Sequence, residues 1–277
     1  MSAHGREKLH LIVSGRHNFR TIWPVASLLT GLLACAPLGM TLPSDLEPPQ
    51  PEGSRIKQAN GWLTTERTEI AGGAPEGSIA ISILRIKGRP TLQQVRHYLV
   101  GEAVYGDSLL LDRTTLKPIE THRWTPAGEF VAKYNHRVVE RTFFPMKGEL
   151  VRSSETLDVE PYSALGMELF VASLPLNVGY VGVLPVAVDT ARRGWAWLKF
   201  TVQREQQLQE RRDQRSLDVW IVDCENGPGE PGLERTRLWI AIDGRSVRKI
   251  EHIDADNTVL GTLRRMLLPA PQRQSAN

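Results

Sequence analysis

The stretch TRLWIAIDGRSVRKIEHIDADNTVLGTLRRML, residues 236–267, decides the fold. Asp243-Gly244 sits between two apolar, β-branched runs, and glycine tolerates the positive φ of a two-residue hairpin turn at little cost. Asp254 to Asn257 supplies a second turn. Two turns between three strand-forming runs predict a three-stranded antiparallel meander.

Working outward, strand signals dominate. GSIAISILRIKG places Ile79, Ile81 and Ile83 on one face, and β-branched residues favour a pleated, half-buried surface. THRWTPAGEFVAKYNHRVVERTFF gives alternating runs around Pro126-Ala127-Gly128, which predicts a hairpin. WAWLKFTVQ and LDVWIVD are further strands. Helix is scarce. The one strong candidate is EPYSALGMELFVASLPL, where Ala164, Met167, Phe170 and Val171 recur at helical spacing; Gly166 weakens it and Pro175 ends it. The expected fold is mainly β (α+β): a large curved antiparallel sheet, or unclosed β-barrel, with one or a few helices against its concave face. Such a sheet holds a cavity where the helix does not fill it.

The N-terminal end speaks to location. Arg6, Lys8, Arg16 and Arg20 precede an uncharged run from Thr21 to Met40, the basic-then-apolar order of an export signal. Pro24 and Pro37 bracket an apolar core shorter than the ~20 residues a spanning helix needs. Cleavage after Ala36 would leave Pro37 first, a poor fit to an extended substrate backbone. Leu32-Leu33-Ala34-Cys35 instead resembles the lipobox of bacterial lipoprotein signals, which implies a lipid anchor on Cys35; ordinary secretion and a retained signal anchor stay open as alternatives. Two or more acyl chains hold firmly where one is marginal. Ala36 is not the Asp that favours inner-membrane retention in Gram-negative lipoproteins, so the resemblance implies the periplasmic face of the outer membrane, with a secreted periplasmic protein as second choice. The expected organisation is a signal peptide over 1–34, a lipid anchor and Pro-rich linker over 35–60 (Pro43, Pro48, Pro49, Pro51), a single β-rich domain over 61–268 and a disordered tail over 269–277.

The formal charge of +3 resides in the leader, which carries four basic residues and Glu7. The remainder has equal numbers of acids and bases, and lacks the positive field that nucleic-acid binding draws on. Gln209 to Arg215 (QERRDQR) mixes both signs and reads as a solvated connection between strands. With Cys35 as anchor, Cys224 has no disulfide partner among the chain's two cysteines. It shares a strand face with Trp220 and Val222, as a buried inert thiol would.

Catalytic signatures are missing: there is no Gly-x-Ser-x-Gly elbow, no His-Glu-x-x-His helix and no phosphate-cradling glycine loop. A non-enzymatic role is expected, without cofactor or metal. His122 and His136 flank the hairpin turn but lack a third ligand, so they read as strand-face histidines. Asp158 and Glu160 read as N-terminal caps of the helix. Trp195 and Trp197 form an aromatic strip on one strand face, which packs a core or walls an apolar ligand cavity. The candidate cavity residues are Trp124, Met167, Phe170, Trp195, Trp197 and Trp239.

LLLDRTTLKPIETHRW (109–124), LGMELFVASLPLNVGY (165–180) and RTRLWIAIDGRSVRKIEH (235–252) resemble the bacterial family known as domain of unknown function 3108. Its members resemble Lol-type lipoprotein carriers in fold, an unclosed β-barrel plugged by helices. The resemblance implies an envelope module that binds an acyl chain, a lipoprotein or another hydrophobic ligand. A structural or assembly factor docking another envelope protein is the alternative.

Overall fold

The computed structural model describes residues 49–67, 76–100, 103–187, 194–210, 215–226, 235–253 and 256–269. Cys35, the leader and the tail from residue 270 lie outside the described residues. A 3-10 turn at Gly53–Arg55 leads into β1 (Ala59–Arg67), β2 (Glu76–Ile86), β3 (Arg89–Val100), β4 (Ala103–Asp112), β5 (Pro118–Thr125), β6 (Gly128–Asn135), β7 (Val138–Pro145) and β8 (Val151–Thr156). The chain then forms the short β9 (Tyr162–Ser163), a 3-10 turn at Ala164–Gly166 and the helix α1 (Met167–Ser173). It continues as β10 (Val181–Ala187), β11 (Trp195–Gln209), β12 (Ser216–Asn226), β13 (Arg235–Ala241), β14 (Val247–Ile253) and β15 (Val259–Pro269).

Among the described residues, all fifteen strands belong to one sheet, in the order β8-β7-β6-β5-β4-β3-β2-β1-β15-β14-β13-β12-β11-β10-β9. Two meanders are joined where β1 pairs with β15; every pairing is antiparallel except β9 with β10. The topology forces the sheet to roll. Laid flat, fifteen strands at ~4.8 Å would span on the order of 65 Å. Yet the two edge strands, β8 and β9, are joined by residues 157–161, a connection that reaches about 20 Å at most. The packing agrees, for β5 and β9 touch although ten strands separate them in the sheet order.

Local devices allow the curl. Five pairings contain a register shift of the kind that bends a strand and increases its twist, among them Val202/Arg204 and Trp239/Ile240. Gly182 lies opposite Phe200, and a Cβ there would run into the Phe200 ring; Gly106 stands in the same relation to Trp124. In both pairs an aromatic ring lies over a glycine on the neighbouring strand.

The concave face carries the main core. Leu92, Leu109 and Leu111 from one meander join Leu184, Phe200, Trp220 and Leu238 from the other, and Leu169, Phe170, Val171 and Ala172 of α1 fill the space between them. Gly166 lets this helix approach closely, since a Cβ there would come within 2.9 Å of Leu109 Cδ2. The mainly β fold with a helix on the concave face is therefore as the alternation predicts. The helix ends at Ser173, just ahead of Pro175.

Three details differ from expectation. Asp243-Gly244 lies at the tip of a wider turn, in which Ala241 N–H donates to Ser246 O at 2.9 Å and both Gly244 and Arg245 have positive φ. Packing begins before residue 61: Pro51 and Gly53 are buried, and Ile56 joins the main core. Asp158 and Glu160 do not cap the helix. Ser163 Oγ accepts from Leu165 N–H at 3.2 Å, while Glu160 meets His136 Nδ1 at 3.2 Å and its carbonyl accepts from Lys117 Nζ at 2.7 Å. Asp158 and Glu160 both belong to the connection between the sheet edges, where the Glu160 carboxylate meets the β6–β7 turn and its backbone carbonyl meets the β4–β5 turn.

Candidate functional site

Along the concave face of β3 the side chains change character in tiers. Leu92 packs with the helix, Gln94 and Arg96 follow, and Tyr98 comes last, stacked on Tyr105 of β4 with ring centroids 5.6 Å apart. The middle tier is a buried polar cluster centred on Glu168 of α1. Glu168 Oε1 accepts from Gln94 Nε2 at 3.1 Å and from Arg96 Nη1 at 2.9 Å, and Glu168 Oε2 pairs with Arg265 of β15. Arg96 Nε donates to Asp107 Oδ1 at 2.7 Å. All five side chains are buried.

Such a cluster persists only because its charges are paired. Desolvating an ion costs several kcal/mol, and removal of one partner leaves that cost unopposed. Burial works against the charge on Glu168, yet Arg265 and Arg96 outweigh it and hold the carboxyl below its usual range. Burial likewise opposes the charge on Arg96, and Asp107 and Glu168 overcome it, so the guanidinium stays protonated. His252 of β14 lies near this tier. Burial pushes its pKa down to about 4, against the pull of Glu168, and the ring is neutral at pH 7.

A second polar contact sits where the rolled sheet overlaps itself. Phe130 and Ala132 of β6 and Val139 of β7 pack on Ala187 and Trp195, which lie on the face of β10–β11 opposite Leu198 and Phe200. There the buried Arg141 donates from Nη1 to Glu155 Oε2 at 2.9 Å, and Gly194 N–H donates to the same oxygen at 3.0 Å. Among the described residues, the lap joint is thus apolar contact fastened by an ion pair whose guanidinium is buried and whose carboxylate is half-buried.

The cavity candidates read from the sequence divide between the faces. Phe170 is in the main core and Met167 packs against it. Trp195 and Trp197 meet edge to face at 5.0 Å, but on the opposite face, in and beside the lap joint. Trp239 packs outward with Leu208, Val219 and Ile221, under Lys249 Nζ at 4.3 Å from its ring centroid. Trp124 lies outside with His97 and His122, each at a centroid distance of 5.2 Å. Period-two counting groups residues onto one face, but does not say which face becomes concave.

The two histidines do not meet: His122 Nε2 lies 3.2 Å from Glu129 Oε2, and His136 is in the β6–β7 turn against Glu160. Cys224 is buried in the main core beside Val222, and burial pushes its thiol pKa up, which suppresses the reactive thiolate. Sequence reasoning missed Gln94, Arg96, Asp107, Glu168, His252 and Arg265. A signal existed in TLQQVRHYLV, whose alternate residues Leu92, Gln94, Arg96 and Tyr98 form one face on which apolar gives way to charged.

A family model described as "Protein of unknown function (DUF3108)" matches residues 79–267. The chain belongs to the DUF3108 family. No curated protein matches the sequence. The DUF3108 match runs from β2 into β15, so it contains every member of the polar tier and the lap joint. β1 and the Gly53–Arg55 turn lie before it.

Proposed function

We propose that this DUF3108 protein is a non-enzymatic binding module of the cell envelope, tethered through an acylated Cys35 on the periplasmic side, with the outer membrane as the expected site. It takes an acyl chain or similar hydrophobic ligand into its rolled sheet, as the resemblance to Lol-type carriers suggests. One observation carries the reading. The sheet rolls without hydrogen-bonding β8 to β9, and the concave face is filled among the described residues by a seven-residue helix that lies between β9 and β10 in the chain. A plug so short, in a barrel held at its seam by side chains, is suited to displacement by a ligand.

Native mass spectrometry of protein purified from the envelope tests the reading. Acyl-bearing masses that leave on collisional activation, together with saturable uptake of a hydrophobic dye, are the expected result. An empty protein that takes up no dye overturns it. That outcome would favour a docking or assembly role, for which the β7–β8 hairpin offers exposed Phe144, Met146, Leu150 and Val151.

A further inference from the structure

The polar tier is not satisfied by its own members. Arg96 Nη2, Arg265 Nε, Thr236 Oγ1 and the amide oxygen of Gln94 are buried with no hydrogen-bond partner among the described residues. Thr236 lies opposite His252 in the β13–β14 register. Three of these four groups can donate, only the Gln94 oxygen is confined to accepting, and a buried donor left unpaired is costly. The charges point the same way. Arg123 lies opposite Asp107 on the same face, so three guanidinium groups surround two carboxylates, Asp107 and Glu168.

We propose that Arg96 and Arg265 form a binding site for the anionic head group of an amphiphile, whose oxygens take up the donors that Glu168 and Asp107 leave unmet. The proposal rests on the reading above and narrows its ligand from any hydrophobe to a carboxylate or phosphate carrying an apolar body. Guanidinium is suited to this because its planar fork donates in pairs to such oxygens. The apolar body extends past the Tyr98–Tyr105 pair, which lies beyond Arg96 on both strands and is half-exposed. The partner chemistry comes either from a lipid or from a small free anion, and the same experiment separates the two.

Delipidated full-length protein in detergent is titrated at constant ionic strength with decanoate, decanol and acetate, followed by calorimetry. Decanoate should bind at least tenfold more tightly than decanol, and Arg96→Lys should reduce that ratio to near unity. Equal affinity for decanoate and decanol refutes the head-group site while leaving the hydrophobic reading intact. Binding of acetate without decanol supports the arginine site as one for a small anion and refutes the acyl reading. No binding of any of the three overturns both. The comparison of ligands on the unaltered protein stands even if the variant does not fold.

Discussion

Arg96 lies directly opposite Asp107 in the β3–β4 register, and its Nε donates to Asp107 Oδ1 at 2.7 Å with both side chains buried. The pair links adjacent strands, and Arg96 also reaches across the barrel interior to Glu168 on α1. One side chain therefore couples strand pairing to the seating of the helix.

Removing one partner should cost more than removing both. Asp107→Leu leaves a buried guanidinium short of a counter-charge and is expected to destabilise the domain by roughly 3–5 kcal/mol. The double variant Asp107→Leu with Arg96→Met should cost clearly less than the sum of the singles. Urea titrations of the four proteins measure the coupling; strict additivity would show that the contact contributes nothing as a pair.

Acid should weaken the fold before the carboxylates titrate. The pKa of His252 falls from an ordinary value near 6.5 to about 4 on folding, because burial disfavours the charged ring. Between these values the unfolded chain binds the extra proton, so stability is full above about pH 6.5 and declines as pH drops towards 4. The loss amounts to at most about 3 kcal/mol. His252→Gln should flatten that portion of the stability profile, read from thermal melts across the range; an unchanged slope would remove His252 as its source.

The two close glycine–aromatic contacts should not be equivalent. Phe200 is fully buried, whereas Trp124 is half-exposed on the outer face. Gly182→Ala is accordingly expected to cost about 1–3 kcal/mol, as overpacking does, and Gly106→Ala less. Chemical unfolding of both variants ranks them, and the reverse order would contradict the assignment of the faces.

The lipobox resemblance makes a cellular prediction. Cys35→Ser should abolish acylation and shift the protein from the membrane fraction to the soluble one, with its melting temperature unchanged. Metabolic labelling with a fatty-acid analogue, combined with detergent partitioning, reads both effects. Unaltered partitioning would rule out the anchor.

The sequence displayed strand alternation openly, and the meander through Asp243-Gly244 and the break at Pro175 both lie where propensity alone puts them. The curved, unclosed sheet was expected, but the means of rolling it was not legible, because the pairing of β1 with β15 and the short link between the edge strands β8 and β9 join distant parts of the sheet in ways that no local pattern encodes. The tryptophans misdirect for the same reason. A residue half-buried under an overlapping strand, as Trp195 is, looks in sequence like one packed beneath a helix. Glu168 stayed hidden because a lone acid in an amphipathic helix reads as solvent-exposed until its counter-charges, far away in the chain, are known.

The Ala59↔Pro269 register has a kinetic corollary. β1 pairs at once with β2, but its other edge cannot find its neighbour until β15 has been synthesised and delivered, about two hundred residues later, and contacts so remote in sequence form slowly. Each meander can zip on its own, but the molecule becomes whole only at its last step. A ribosome stalled ahead of β15 therefore leaves one edge of β1 as an open template for aggregation.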